Sequence, residues 1–176
     1  MKTWVKVALG HGLFPVPAMA LAMSVKTDNQ VKLSDGHSVG YAEYGDPMGK
    51  PVLHFHGFPS SRFEGHRPTV DEIATRLHAR VIVVERPGIG LSDYKPYTIA
   101  SWPDIVMEFA DALRLDRFAV MGVSSGGKYV AACASKIPQM IQNPYLSLSR
   151  SISSEVGAGV VPCISTTGSI LSASFT

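Results

Sequence analysis

The chain is poor in charge. Asp, Glu, Lys and Arg together make up 17% of its 176 residues, and the net charge at pH 7 is only +2. That balance is too small to draw the protein to nucleic acid or to an anionic surface. Basic residues are scattered, with no stripe interleaved with aromatics, so no nucleic-acid partner is expected. Two cysteines, Cys133 and Cys163, stand far apart without metal-ligand spacing, and reduced thiols are the expected state. His54 and His56 lie close together, but no cysteine or carboxylate set completes a metal site around them. Gly88-Ile89-Gly90 lacks the third glycine of a dinucleotide fingerprint, and no Walker pattern occurs, so no nucleotide or other cofactor is expected. The scarcest feature lies downstream. No histidine follows His78, and after Ser124 the chain carries one carboxylate, Glu155.

What is present is concentrated in three short runs. Phe118-Ala-Val-Met-Gly-Val-Ser-Ser-Gly-Gly127 is an apolar strand ending in Gly122-Val123-Ser124-Ser125-Gly126, a G-x-S-x-G set between a strand and a helix. A serine on so tight a turn needs nearly side-chain-free neighbours two residues to either side, here Gly122 and Gly126. The turn lifts the Ser124 hydroxyl above the sheet, at a helix N-terminus where developing negative charge is favoured. Ser124 is therefore the candidate nucleophile.

The second run, Pro51-Val-Leu-His-Phe-His-Gly-Phe-Pro59, is a buried strand opening into a loop. Acyl transfer requires two backbone N–H groups aimed at the oxyanion. One comes from the residue after the nucleophile, Ser125, and the other from an earlier strand–helix loop, where Phe58 is placed to supply it. Gly57 lets that loop approach closely. The third run, Val81 to Asp93, is a β-branched strand followed by the rigid turn Arg86-Pro-Gly-Ile-Gly-Leu-Ser-Asp93. Glu85 and Asp93 read as turn and ion-pair residues around Arg86.

Taken in order, H-G-F-P, (D/E)-R-P-G-x-G-x-S-D and G-x-S-x-G-G resemble the first half of a serine-type α/β-hydrolase over residues 30–142. Glu85 stands where aspartate is usual, Ser125 where many relatives carry glycine, and Lys128 where proline is common. The resemblance implies an α/β fold, a mostly parallel sheet flanked by helices, and a small-molecule acyl substrate in the complete form. It also implies the triad order serine, acid, histidine, and this chain has no histidine to fill the last place. His56, at the oxyanion loop, is not where a base sits. The expectation is a hydrolase-like core cut short after the elbow helix and inactive alone. The alternative is a non-catalytic product acting, if at all, as a binding module.

Along the chain, residues 1–29 read as an N-terminal extension. If residues 1–22 act as a secretory signal the product is secreted; otherwise it is cytoplasmic. Residues 30–44 form a hairpin of edge strands turning at Asp35-Gly36. Thr69 to Glu72 carries capping-box chemistry for a helix through Leu77. A second helix starts at Ser101-Trp102-Pro103 with Ile105, Phe109, Ala112 and Leu113 buried. A third runs from Ser125 to Lys136. Residues 143–176 are serine-rich with only Arg150 and Glu155 charged, a disordered or unrelated tail in which 156–161 form a candidate strand. The elbow strand, Phe118 to Gly122, is then a bare edge, and self-association through it is expected.

Overall fold

A computed structural model describes residues 4–9, 12–17, 26–147, 163–164 and 170–171. The small-residue cleavage patterns at 18–22 and the candidate strand at 156–161 lie outside the described residues. Strands β1 (Trp4–Leu9) and β2 (Gly12–Pro17) pair antiparallel with each other. The body of the protein is a six-stranded sheet formed by β3 (Lys26–Lys32), β4 (Ser38–Gly45), β5 (Lys50–Phe55), β6 (Ala79–Val84), β7 (Phe118–Val123) and β8 (Ile141–Ser147). Their spatial order is β3-β4-β6-β5-β7-β8. The β3–β4 and β4–β6 pairs are antiparallel, and β6–β5, β5–β7 and β7–β8 are parallel. Helices α1 (Pro68–Arg76), α2 (Trp102–Ala112) and α3 (Gly127–Lys136) complete the layers. Two short elements, β9 (Cys163–Ile164) and β10 (Ile170–Leu171), pair with each other.

Strand β6 shows why the sheet is buried on both faces. Its β-branched run alternates, so Ile82 and Val84 join the core shared with Trp102, Phe109 and Val130 of α2 and α3. Val81 and Val83 turn to the opposite face and pack with Ala74 of α1 and with Ala42 and Tyr44 of β4. Side chains of period two thus feed two helical layers from one strand. Trp102, fully buried at the first turn of α2, meets Phe55 edge-on with ring centroids 5.4 Å apart.

Several expectations are corrected. The six-stranded sheet takes in Lys26–Lys32, and Thr27 and Asp28 on β3 both accept from the Arg62 guanidinium, so the boundary drawn at residue 30 cut through a used strand. Strand β3 is an edge but β4 is interior, between β3 and β6. Helix α1 starts from Arg67 with no side-chain cap. Asp71, taken as part of a capping box, accepts instead from the Gly45 N–H at 2.6 Å and ties α1 to β4. On α2, Ala112 is exposed, and Trp102, Val106 and Ala110 join Ile105 and Phe109 in the buried stripe. The sheet does not stop at the elbow helix. Strand β8 pairs with the whole of β7, so the elbow strand is interior and is not the bare edge through which self-association was expected. The boundary at 142 falls inside β8. The segment gives little local sign of a strand, because Ile-Gln-Asn-Pro-Tyr-Leu-Ser lacks a β-branched run and contains Pro144. Pro144 sits beside the register shift opposite Val120, a place where the missing N–H is tolerated.

Candidate active site

The parallel strands β5, β6 and β7 end side by side, with Phe55 opposite both Val84 and Gly122. Loops leaving these carboxyl ends meet at one rim of the sheet, where open α/β folds place their ligands. From β7 the backbone stays extended to Val123 and then reverses at Ser124, which has a φ of 53°. A non-glycine residue in that region is strained and needs its surroundings to hold it there. Residues Ser124–Gly126 form one tight turn that leads straight into α3.

The two elbow glycines supply that hold. A Cβ on Gly122 would lie 2.7 Å from the carbonyl of Gly126 and 2.8 Å from Val130. A Cβ on Gly126 would overlap the carbonyl oxygen of Phe55 and approach that of His56 at 3.1 Å. Both sites therefore exclude any side chain, and Gly126 presses the elbow onto the end of β5. The two glycines that flank Ser124 are thus held by contact on both sides of the turn.

Gly57 lies against the serine. Its Cβ position is 3.5 Å from the Ser124 Cβ and 3.4 Å from the Val123 carbonyl oxygen. This is close approach without closure. The Phe58 side chain is exposed, and among the described residues nothing accepts from its N–H. Ser125 keeps its hydroxyl buried without a partner among the described residues.

The backbone just before Phe58 is gripped on both sides. Arg86 donates from Nη1 to the His56 carbonyl at 2.6 Å and from Nη2 to the Gly57 carbonyl at 2.9 Å. The carboxylate of Glu64 accepts the Gly57 N–H at 3.1 and 3.2 Å and meets His54 Nε2 at 2.8 Å. Burial pushes the Glu64 carboxyl upward, but His54 and the Gly57 N–H outweigh it and leave the group below the usual carboxylate range. His56 is fully buried with Nδ1 2.9 Å from the Gly57 carbonyl, so Nδ1 carries the proton and donates. Burial, and after it the Arg86 charge, brings the imidazole down to about 4. Its Nε2 has no partner among the described residues.

Sequence reading placed Ser124, Ser125, Gly122, Gly126, Gly57 and Phe58 here, and the fold brings all six together. It missed Glu64 and His54, whose pairing spans a loop with no local signature. It also misassigned the charges near Arg86. Glu85 is buried and pairs with Arg62 at 3.0 Å, while its other oxygen accepts from the Leu91 N–H at 2.7 Å. Asp93 accepts from the Ser38 N–H. Neither is an ion-pair partner of Arg86. Among the described residues no histidine or carboxylate is hydrogen bonded to the Ser124 hydroxyl.

Comparison with known proteins agrees with this architecture. Residues 50–156 match the alpha/beta hydrolase fold family, and the chain belongs to that family. The match runs past residue 142, into the segment read from sequence as unrelated. Similar curated proteins are one from Mycoplasma pneumoniae whose provisional name is proline iminopeptidase, and the serine hydrolase-like protein of Danio rerio. The first is 27% identical over 127 residues, covering 70% of this chain and 40% of that protein. The second is 28% identical over 109 residues, covering 58% of this chain and 32% of that protein. The chain thus spans well under half the length of these relatives. Among solved structures, a hydrolase from Pseudomonas aeruginosa PA01 superposes with a TM-score of 0.56 at 26% identity, covering 72% of this chain and 46% of that one. An alpha/beta hydrolase fold protein from Chitinophaga pinensis superposes with a TM-score of 0.62 at 23% identity, covering 70% and 44%.

Proposed function

We propose that this chain carries the nucleophile half of a serine hydrolase site, and that Ser124 attacks the acyl carbon of an ester, amide or similar small compound. The observation that carries the reading is the serine at a φ of 53° between two glycines whose side-chain space is filled. In the reaction, the Ser124 Oγ–acyl carbon bond forms and the substrate carbonyl oxygen takes up the electron pair. In this reading the N–H groups of Phe58 and Ser125 donate to that oxygen, and the N-terminus of α3 favours the same charge. Collapse of the intermediate expels the alcohol or amine and leaves an acyl-enzyme, which water then cleaves.

The serine proton needs an acceptor, and this sequence offers none in the expected place. No histidine follows Ser124. His56 is committed through Nδ1 to its neighbour's carbonyl and is brought down to about 4, a poor base at neutral pH. This observation supports a second reading for the 176-residue chain by itself: a non-catalytic module that keeps the nucleophile-side geometry without turnover.

The test uses a form of the protein that carries an acid and a histidine C-terminal to Ser124, assayed on short acyl esters. Ser124→Ala lowers kcat by several orders of magnitude, about 10⁴-fold or more. Ser125→Ala costs far less, because its backbone N–H remains. Equal losses from the two variants overturn the assignment. The 176-residue chain turns over no faster than its own Ser124→Ala variant, and serine-dependent turnover by that chain would redirect attention to His56.

A further inference from the structure

The peptide group that joins Gly57 to Phe58 has two ends. Its N–H is the oxyanion donor of the reading above, on which this inference rests. Its carbonyl, that of Gly57, accepts two hydrogen bonds inside the protein, from Arg86 Nη2 at 2.9 Å and from His56 Nδ1 at 2.9 Å. We infer that Arg86 is a positioning residue for oxyanion stabilisation: it fixes the plane of the Gly57–Phe58 peptide and polarises it, so that the Phe58 N–H becomes a stronger and better-aimed donor.

The argument begins with amide resonance. Electron density drawn to a hydrogen-bonded carbonyl oxygen leaves the amide nitrogen more positive, and bonds in such a chain strengthen one another. A guanidinium is a charged donor, so its effect exceeds that of a neutral one. Orientation is fixed by the fork. Nη1 and Nη2 reach two successive carbonyls, at 2.6 and 2.9 Å, and a planar group bonded twice cannot swivel. The guanidinium is itself located from two sides. It follows β6, whose end is pinned by the Glu85 N–H on the Gly40 carbonyl at 2.9 Å, and its carbon lies 5.1 Å from the Tyr129 ring centroid on α3. That helix begins directly after the elbow, so Arg86 bridges the donor loop to the nucleophile's own helix. On the other side, Glu64 accepts the Gly57 N–H and holds the preceding peptide.

The charge pattern separates this role from ordinary packing. Arg62, the other arginine buried among the described residues, is matched by Glu85 and Asp28. Among the described residues no carboxylate lies within ion-pairing distance of Arg86, whose guanidinium donates to two backbone carbonyls of the donor loop. A buried cation without a counterion is costly, and here its charged hydrogen bonds to the two loop carbonyls offset that cost.

The experiment uses the full 176-residue chain, isotope-labelled, with phenylboronic acid in alkaline buffer as a probe: its tetrahedral serine adduct places an oxygen in the donor site and gives the serine proton to the buffer, so no protein base is needed. Variants are Arg86→Lys, which keeps the charge but not the fork, Arg86→Gln, and Ser124→Ala. Thermal unfolding and the amide shifts of Leu53 and Val120 report whether each is folded. The expected result is that the Phe58 amide proton moves upfield in both Arg86 variants, and that boronate binding weakens about tenfold in Arg86→Lys and more in Arg86→Gln. Ser124→Ala loses boronate binding with its Phe58 amide in place. A folded Arg86→Gln with an unmoved Phe58 amide, or with unchanged boronate affinity, overturns the inference. If wild type and Ser124→Ala do not differ toward the boronate, the Ser124 reading fails, and the Phe58 shift in Arg86→Gln still decides the role of Arg86. If neither Arg86 variant folds, the scalar coupling across the hydrogen bond from Arg86 Nη2 to the Gly57 carbonyl in wild type decides it: a measurable coupling keeps the proposal and its absence overturns it.

Discussion

Around Ser124, the positions at 122 and 126 are closed by neighbouring backbone, and the serine is forced to a φ of 53°. Across from it, the tightest neighbour of a Cβ on Gly57 is a side-chain oxygen of Glu64 at 3.3 Å rather than backbone, and the His56–Phe58 segment is held by Arg86 and Glu64. One wall of the site is shaped by exclusion of volume and the other by charge. The two respond to different insults. Sterics are indifferent to pH and salt, whereas hydrogen bonds to ionised groups depend on the protonation of every member.

The largest effect of a single substitution on stability is expected on the steric side. Gly126→Ala drives a methyl into the Phe55 carbonyl, which is backbone of a central strand and cannot step aside. Unfolding in urea should show a loss of about 3 kcal/mol. A variant as stable as wild type would mean that the elbow relaxes, and the contrast between the walls would weaken.

Acid should act on the charged wall. His56 has an ordinary value of 6.5 and is brought to about 4 in the folded protein. Between those values the unfolded chain takes up a proton that the folded one refuses. Stability is therefore full above pH 6.5 and falls as the pH drops towards 4, by about 3 kcal/mol from this one group. Glu64 is lowered from 4.5 in the fold, so its contribution is present above pH 4.5 and is lost on further acidification. Urea unfolding followed from pH 7.5 down to about 3 tests both. His56→Asn keeps a donor for the Gly57 carbonyl without the titration and should flatten the curve between pH 6.5 and 4. A wild-type curve already flat there would show that His56 is not refused its proton.

The smallest effect sharpens the comparison in the other direction. Ser124→Gly removes the side chain that makes a positive φ costly, and should stabilise the fold by about 1 kcal/mol while abolishing any serine chemistry. No gain in thermal unfolding would indicate that the serine pays little strain, contrary to its backbone angle.

The same division explains what could be read in the amino-acid order. Exclusion of volume is a local matter, and Gly-x-Ser-x-Gly after four apolar residues announces it. So does the run Val81 to Val84, whose β-branching fits only a strand covered on both faces. The charge clamp is not local. Arg86 reaches carbonyls about 30 residues earlier, and Glu85 pairs with Arg62 rather than with the arginine beside it. Only the packing of β5 against β6 makes those partners neighbours. Strand β8 was illegible for a different reason: with Pro144 and polar residues in place of a hydrophobic period, its strand form is set by pairing with β7 and not by propensity.

The contact of Gly126 with the Phe55 carbonyl has a temporal side. Nothing between Gly122 and Gly126 prefers a left-handed serine by itself; the angle is imposed when β7 seats beside β5. On a ribosome the His56 loop emerges first, and the segment that completes the rim follows by a stretch of chain containing β6 and α2. The nascent serine is therefore an ordinary, unstrained hydroxyl until the parallel pairing closes, and its special geometry exists only in molecules that have passed that docking step.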